Sequence, residues 1–225
     1  ENTNDRIIEI DTSTASLEVM DEQNDQNLWS AKLQLEYSVG NSLYYAGINR
    51  GVKAGSFNAP LSGGFSFYEP EELTSYEAGL KHSFMQGSGV FNANVFYYDY
   101  SDYQSFSWVN NAGVVTNEEA SFSGVELEVF LTPADSVDVM VNFSYTDAVV
   151  EDLEVASGYF ADTTPPFTPE FQASAMLRYN WDAFNGNMAA QLSASYQSET
   201  FHNARNFTAH EIDSYATADT RLTWV

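Results

Sequence analysis

The sequence predicts an all-β fold, an antiparallel transmembrane β-barrel segment of about nine strands. Three observations point there. Period-two alternation of apolar and polar residues runs through most of the chain, and helical periodicity is hard to find. The links between alternating segments are short and long by turns. Rings sit near the ends of the apolar faces, where interfacial girdles belong.

The elements follow in order. Trp29, Ala31, Leu33, Leu35, Tyr37 and Val39 oppose Lys32, Gln34, Glu36 and Ser38. After Gly40-Asn41 comes Leu43–Gly51. Tyr76, Ala78, Leu80 and Phe84 then oppose Glu77, Gly79, Lys81 and Ser83, with His82 breaking the apolar set. Phe91, Ala93, Val95 and Tyr97 oppose Asn92 and Asn94; Val125–Leu131 alternates with Glu126 and Glu128. Val137–Tyr145, Phe171–Trp181, Met188–Tyr196 and Tyr215–Trp224 complete the set. Each strand is about 9–13 residues long. Short turns fall at Gly40-Asn41, Gln86–Gly89, Pro133–Asp135 and Asp182–Gly186, and all carry turn residues. Long connections fall at about 52–71, 107–119, 150–170 and 198–214. Alternating links mean antiparallel neighbours with every long link on one rim, the layout of short periplasmic turns and long extracellular loops. Residues 1–26 would then lie in an extracellular loop. A soluble β-sandwich shares the alternation. Its strands are usually ~5–6 residues, about half the length read here, and its links are not sorted onto two rims.

Composition removes other classes. Lys plus Arg number 8 and Asp plus Glu 32, a formal charge of −24, which argues against a phosphate-backbone binder. Without Cys there is no disulfide scaffold, thiolate zinc site or Cys nucleophile. No run of about 18 apolar residues supplies a transmembrane helix. Aromatics at 15% are too many for a disordered acidic tail.

Several motifs carry a resemblance. Glu69-Pro70-Glu71-Glu72-Leu73-Thr74-Ser75-Tyr76-Glu77-Ala78-Gly79-Leu80-Lys81 resembles the "PE…YE-x-G-x-K" stretch of TonB-dependent outer-membrane receptors. Tyr44–Asn58 is similar to their "Y-A-x-x-x-x-G-x-K-x-G-x-F-N" strand and loop. Asn110-Asn111-Ala112-Gly113 with Ser123–Glu128 resembles their "N-x-G … G-V-E-x-E" step, and Pro166–Pro169 before a strand resembles a further one. The likeness runs from about Leu28 onward, and the motifs fall on the strand pattern read independently. It implies residues 1–225 as a partial barrel domain of a 22-stranded barrel in the outer membrane of a Gram-negative bacterium. It also implies that the N-terminal plug, the TonB box and the final strands lie outside this chain.

The resemblance further implies a transporter, not an enzyme. A scarce nutrient binds at the outer loops and plug, and TonB with its inner-membrane complex relays the energy that moves it through the barrel. A ferric siderophore is the leading ligand, with cobalamin, heme and glycan as alternatives. Implied partners are TonB, the plug of the same protein, and outer-membrane lipid and lipopolysaccharide. No cofactor and no nucleic acid are implied.

The candidate ligand residues are Arg50, Lys53, Tyr68, Tyr103, Trp108 and Tyr159: two cations for an anionic chelate and four rings for stacking. Phe57, Phe65, Phe67, Phe106, Phe160 and Phe167 are further loop rings that also fit interfacial anchors. Arg50, Lys53, Lys81 and Arg178 are expected in the lumen with Glu36, Glu77, Glu126 and Glu128, as cross-strand ion pairs. Asp11–Asp25 and Asp147–Glu170 are acidic stretches read as solvated loops. His202 and His210, near Glu199, Glu211 and Asp213, do not have a metal-ligand spacing. No G-x-S-x-G, HExxH, Walker or GxGxxG motif occurs. A passive porin, a surface adhesin and, behind them, an outer-membrane lipase remain the rival readings for a barrel.

Overall fold

The computed structural model describes residues 2–11, 18–58, 66–109 and 112–225. Phe65, Asn110, Asn111 and parts of the 1–26 segment lie outside the described residues. In chain order the strands are β1 (Asn2–Asp11), β2 (Glu18–Asn27), β3 (Ala31–Val39), β4 (Ser42–Lys53), β5 (Ser56–Asn58), β6 (Ser66–Tyr68), β7 (Glu71–Phe84) and β8 (Gly89–Val109). They continue as β9 (Ala112–Ala134), β10 (Val137–Ala156), β11 (Tyr159–Thr163), β12 (Phe171–Ala183), β13 (Gly186–Gln197), β14 (Thr200–Phe201), β15 (Glu211–Ile212) and β16 (Tyr215–Trp224).

Nine of these form one antiparallel sheet in the order β3-β4-β7-β8-β9-β10-β12-β13-β16, with β11 folded back onto β10. Each neighbour in this path is also the next long strand in the chain, so the sheet is a plain meander. The pairs β1–β2, β5–β6 and β14–β15 are small separate ladders; the last two lie inside long connections. The short turns stand where turn residues predict them. Between β12 and β13, Phe184 and Asn185 both take positive φ (54° and 57°), as a two-residue hairpin with the native strand twist requires.

Register assigns the faces, because directly paired residues share one. Leu35, Ala46, Ala78, Val95, Val125, Tyr145 and Phe171 form one continuous row. One residue along each strand, Glu36, Tyr45, Gly79, Asn94, Glu126, Ser144, Gln172 and Gln197 form a row on the opposite face. Among the described residues no second layer covers the apolar face: Leu35 is 71% exposed and Val95 51%. This decides against a sandwich, whose apolar face would be its core. Among the described residues, Val150 is the one large side chain buried completely.

The apolar face has the dimensions of a membrane band. Tyr76 and Tyr97 (6.3 Å between rings) and Tyr145 and Phe171 (5.0 Å) stand toward the long-link rim. Tyr179 and Trp181 (5.5 Å) stand toward the short-turn rim, where Trp224 is also exposed. From Phe171 to Trp181 the rise is about 24 Å for a strand tilted about 45°, close to the hydrocarbon band of an outer-membrane barrel. His82 belongs to the apolar face near the short turns. Its Nδ1 lies 2.8 Å from the Ser42 hydroxyl and its ring stacks on Phe84.

Three strands are longer than expected, at 20 to 23 residues. The 107–119 connection is not a loop: β8 and β9 run on past the tyrosine girdle as a paired hairpin, with Trp108 opposite Gly113. A register shift between Tyr100 and Tyr103 marks where the extension departs from the membrane ladder, and Asp102 takes a positive φ of 57° there. In the same way β10 runs to Ala156 and returns as β11 across two register shifts.

The face assignment has a direct test at adjacent positions of β12. Ala175→Arg places a charge on the apolar face and should cost ~2–4 kcal/mol near the midplane. Ser174→Arg, on the polar face, should cost far less. Reversible unfolding of each variant from lipid bilayers measures both, and equal costs would contradict the assignment.

Candidate functional site

The polar face is built from amides, hydroxyls and carboxylates that bond to one another across strands. Asn92 Nδ2 donates to Glu128 (2.6 Å), Asn94 Nδ2 to Glu126 (3.4 Å) and the Tyr98 hydroxyl to Glu77 (3.1 Å); along β3, Gln34 Nε2 donates to Glu36 (2.6 Å). This corrects the expected ladder of ion pairs. Among the described residues neither Lys81 nor Arg178 pairs with a carboxylate; Arg178 Nε donates to Asn180 Oδ1 at 3.1 Å. Neutral amides satisfy the carboxylates at a smaller desolvation penalty than buried cations would carry.

Two glycines of the recognised motifs have a steric reason on this face. Gly79 lies opposite Tyr45 and Gly124 opposite Phe96. A methyl group at either position would run into the ring. Each ring therefore lies across its glycine, covering backbone that a glycine leaves bare. The face carries a concavity of about 580 Å³ lined by Tyr45, Asn94, Glu126, Asn142 and Gln172 among others. None of the six ligand residues expected from the sequence lines it.

Beyond the girdle, the long connections are locked together by side-chain amides acting as ladder residues. Four of them make reciprocal contacts, donating to a carbonyl and accepting from the same residue's backbone N–H. Gln26 does so with Gly55 (3.0 and 2.9 Å) and Asn58 with Val115 (2.9 and 2.7 Å). Asn117 does so with Glu69 (3.0 and 2.7 Å) and Asn206 with Thr164 (2.8 and 2.6 Å). Gln104 Nε2 adds bonds to the Ala54 and Glu69 carbonyls. The 54–70 connection is thereby fastened to the β8–β9 hairpin, and the 198–214 connection to the segment before β12. Phe167 N donating to Phe201 O and Ser198 N donating to Phe171 O reinforce the second junction.

The 198–214 connection also closes a small apolar core over the polar face. Ala204 packs with Ala120, Val150 and Leu153, against Tyr100, Tyr103 and Phe122. Ala120 and Val150 are register partners, two rows along from Gly124 and Thr146 on the polar face. Burial pushes the Tyr103 phenol above its ordinary pKa, with Glu71 adding to the effect. Burial also raises Glu118, helped by Asp152 and opposed by a hydrogen bond with the Thr116 side chain. Both groups lie outside the membrane band.

The expected ligand residues do not converge. Arg50 was expected in the lumen, but it pairs with Ala31 and stands two residues from Ile48, which puts it on the apolar face. There its guanidinium lies 4.0 Å from the centre of the Trp29 ring, donates to the Trp29 carbonyl and pairs with Glu72. Lys53 is on the polar side, 3.9 Å from Glu71. Tyr68 stacks on Phe67, which also packs edge-on against Phe57. Tyr103 is absorbed into the apolar cluster. Trp108 (68% exposed) and Tyr159 stand on separate hairpins. Phe160 is also exposed, and Phe106 packs edge-on to Trp108. Phe167 meets the His202 ring, and the Asn203 amide meets His210 Nδ1. Among the described residues no group of three or more His, Asp or Glu side chains is placed to hold a metal ion.

Residues 9–225 match the family model described as TonB dependent receptor-like, beta-barrel. The chain belongs to the TonB-dependent receptor family. The family consists of transport receptors of the Gram-negative outer membrane, not enzymes, so the apolar face of this receptor barrel is its lipid face and the polar face its lumen. The fold is similar to that of the ferric yersiniabactin uptake receptor of Yersinia pestis, with a TM-score of 0.76 at 19% identity over 92% of this chain and 31% of that one. A siderophore receptor of Acinetobacter baumannii gives 0.70 at 16% identity, covering 95% and 32%. A copper transporter gives 0.63 at 13%, covering 92% and 32%. The chain thus spans about a third of the length of these receptors.

The amide contacts make a measurable prediction. Asn58→Ala strands the Val115 N–H and C=O, a loss of ~1–3 kcal/mol of local stability. Amide hydrogen exchange at Val115 should accelerate roughly tenfold to a hundredfold, while Val125 inside the membrane ladder stays protected. Unchanged exchange at Val115 would show that Asn58 does not hold the hairpin.

Proposed function

We propose that this barrel segment serves a receptor for active uptake of a scarce nutrient, with a ferric siderophore as the ligand. The ligand binds at the long-loop rim and the plug, then passes through the barrel with energy relayed by TonB and its inner-membrane complex. The observation that supports this most is the pre-built mouth. Connections far apart in sequence are fastened at two junctions by amide contacts, which reduces the ordering entropy lost when a ligand is captured. Two of the structurally similar receptors described above handle siderophores by name, which supports the choice of ligand.

The same reading extends to the ends of the chain. Residues 1–26 belong to an extracellular loop on this mouth. The contact of Gln26 with Gly55 supports that placement, since it ties the end of β2 to a long connection. The lumen wall of amides and carboxylates is suited to hold the plug by hydrogen bonds. Lipid and lipopolysaccharide surround the apolar face.

Uptake of radioactive iron as defined ferric siderophores, compared between the source bacterium and a strain lacking the gene, tests the proposal. Loss of uptake of at least one siderophore is expected, together with the same loss in a strain lacking TonB. Uptake that persists without TonB would indicate a passive pore. A growth defect confined to cobalamin, heme or a glycan would replace the ligand.

A further inference from the structure

The four long connections, 52–71, 107–119, 150–170 and 198–214, hold two Lys or Arg residues, Lys53 at the start of the first, which faces Glu71, and Arg205 in the last; the acidic side chains far outnumber them. The structure holds Arg205 at the inner side of the mouth. Ala204 immediately before it is 1% exposed in the apolar cluster, and Asn206 immediately after it is clamped to Thr164. With both neighbours fixed, the Arg205 backbone has little freedom to move, and its own N–H is capped by Asn203 Oδ1 at 3.1 Å.

The Arg205 side chain is half-buried. Its Nε is shielded from water and has no hydrogen-bond partner. Among the described residues it makes no ion pair, whereas Arg50 and Lys53 are taken up by Glu72 and Glu71. Two further buried polar atoms without partners belong to the same patch. Thr163, whose Oγ1 is one, pairs in register with Val150, which packs on Ala204. Ser105, whose Oγ is the other, shares a face with Tyr103. Buried donors without partners are rare in native proteins, and a shielded Nε–H on a charged group is costly to leave unpaired. A guanidinium's planar fork matches the paired oxygens of a carboxylate or catecholate. Among these connections, whose other charges are mostly carboxylates, Arg205 offers an anion an attractive point.

We propose that Arg205 anchors an anionic oxygen group of the transported ligand, a carboxylate or catecholate of a ferric chelate, at the inner mouth of the barrel. This rests on the siderophore reading above. The acidic loops then act as a filter, and Arg205 sets where and in which orientation the chelate docks beside the Tyr100–Tyr103–Phe122 rings.

The test uses the receptor purified from outer membranes, titrated with three probes and followed by tryptophan fluorescence. The probes are a ferric tris-catecholate, ferric citrate and an uncharged ferric trihydroxamate. Arg205→Gln should weaken the anionic chelate that the wild type binds by roughly thirtyfold or more, as loss of one partner of a buried charge pair does. Arg205→Lys should weaken it by less, and affinity for the trihydroxamate should not change. Equal affinities for wild type and Arg205→Gln would overturn the proposal while leaving the siderophore reading intact. So would a parallel loss for charged and uncharged probes, or a lowered melting temperature of ligand-free Arg205→Gln with unchanged affinity, which would mean that the guanidinium pairs within the receptor. Failure of the wild type to bind any ferric chelate would overturn both.

Discussion

The constraint behind this structure is that a backbone crossing hydrocarbon finds no water to satisfy its amides. Every N–H and C=O in the membrane band must pair with a neighbouring strand, so the ladder there runs from β3 to β16 with one register shift, between Val137 and Val139 near the short turns. Alternation then leaves no freedom: each residue faces either lipid or lumen. The exposed leucines, valines and tyrosines of the apolar face, which would be a liability in a water-soluble protein, are the surface the bilayer requires. Rings over Gly79 and Gly124 on the other face follow from the same ladder, since only directly paired residues lie close enough to cover one another.

Outside the girdle the constraint relaxes, and the structure changes at that level. The register shifts between Tyr100 and Tyr103 and between Val150 and Leu153 both fall there. Water is available, so backbone groups no longer need a strand beside them, and long connections can take irregular paths. Side-chain amides replace the ladder. Asn117, Asn206 and Gln26 each copy the two-point pairing of a strand residue and dock a stretch of chain that has no strand partner of its own, and Asn58 does the same with Val115, a strand residue already paired with β8. A continuous wall below and a side-chain-stitched mouth above result from one rule applied in two solvents.

Much of the wall was legible in the sequence because it obeys a local period. Turn residues at Gly40-Asn41 and Asp182–Gly186 and the alternation of Phe171–Trp181 read directly as hairpins and faces. The Arg50 assignment followed its charge, although its two-residue spacing from Ile48 already put it on the lipid face. The 107–119 hairpin carries loop-type Asn and Gly residues at its tip, while Phe106 and Trp108 continue the strand alternation. The amide contacts had no readable signal. Asn58 and Val115 are 57 residues apart, and nothing local to either announces the other. Arg205 was equally silent: its position depends on where Ala204 packs, which only the folded connection determines.

The central claim is that one strand face meets lipid and the other the lumen. The chain has no native Cys, so single cysteines can be placed at each position of β12 from Phe171 to Ala183 in the receptor and spin-labelled in bilayers. The account predicts oxygen accessibility peaking at Ala173, Ala175, Leu177 and Tyr179. Accessibility to a water-soluble nickel chelate should peak at Ser174, Met176 and Arg178, out of phase with the first. Two profiles that rise and fall together, or an apolar face closed to oxygen as in a sandwich core, would contradict it.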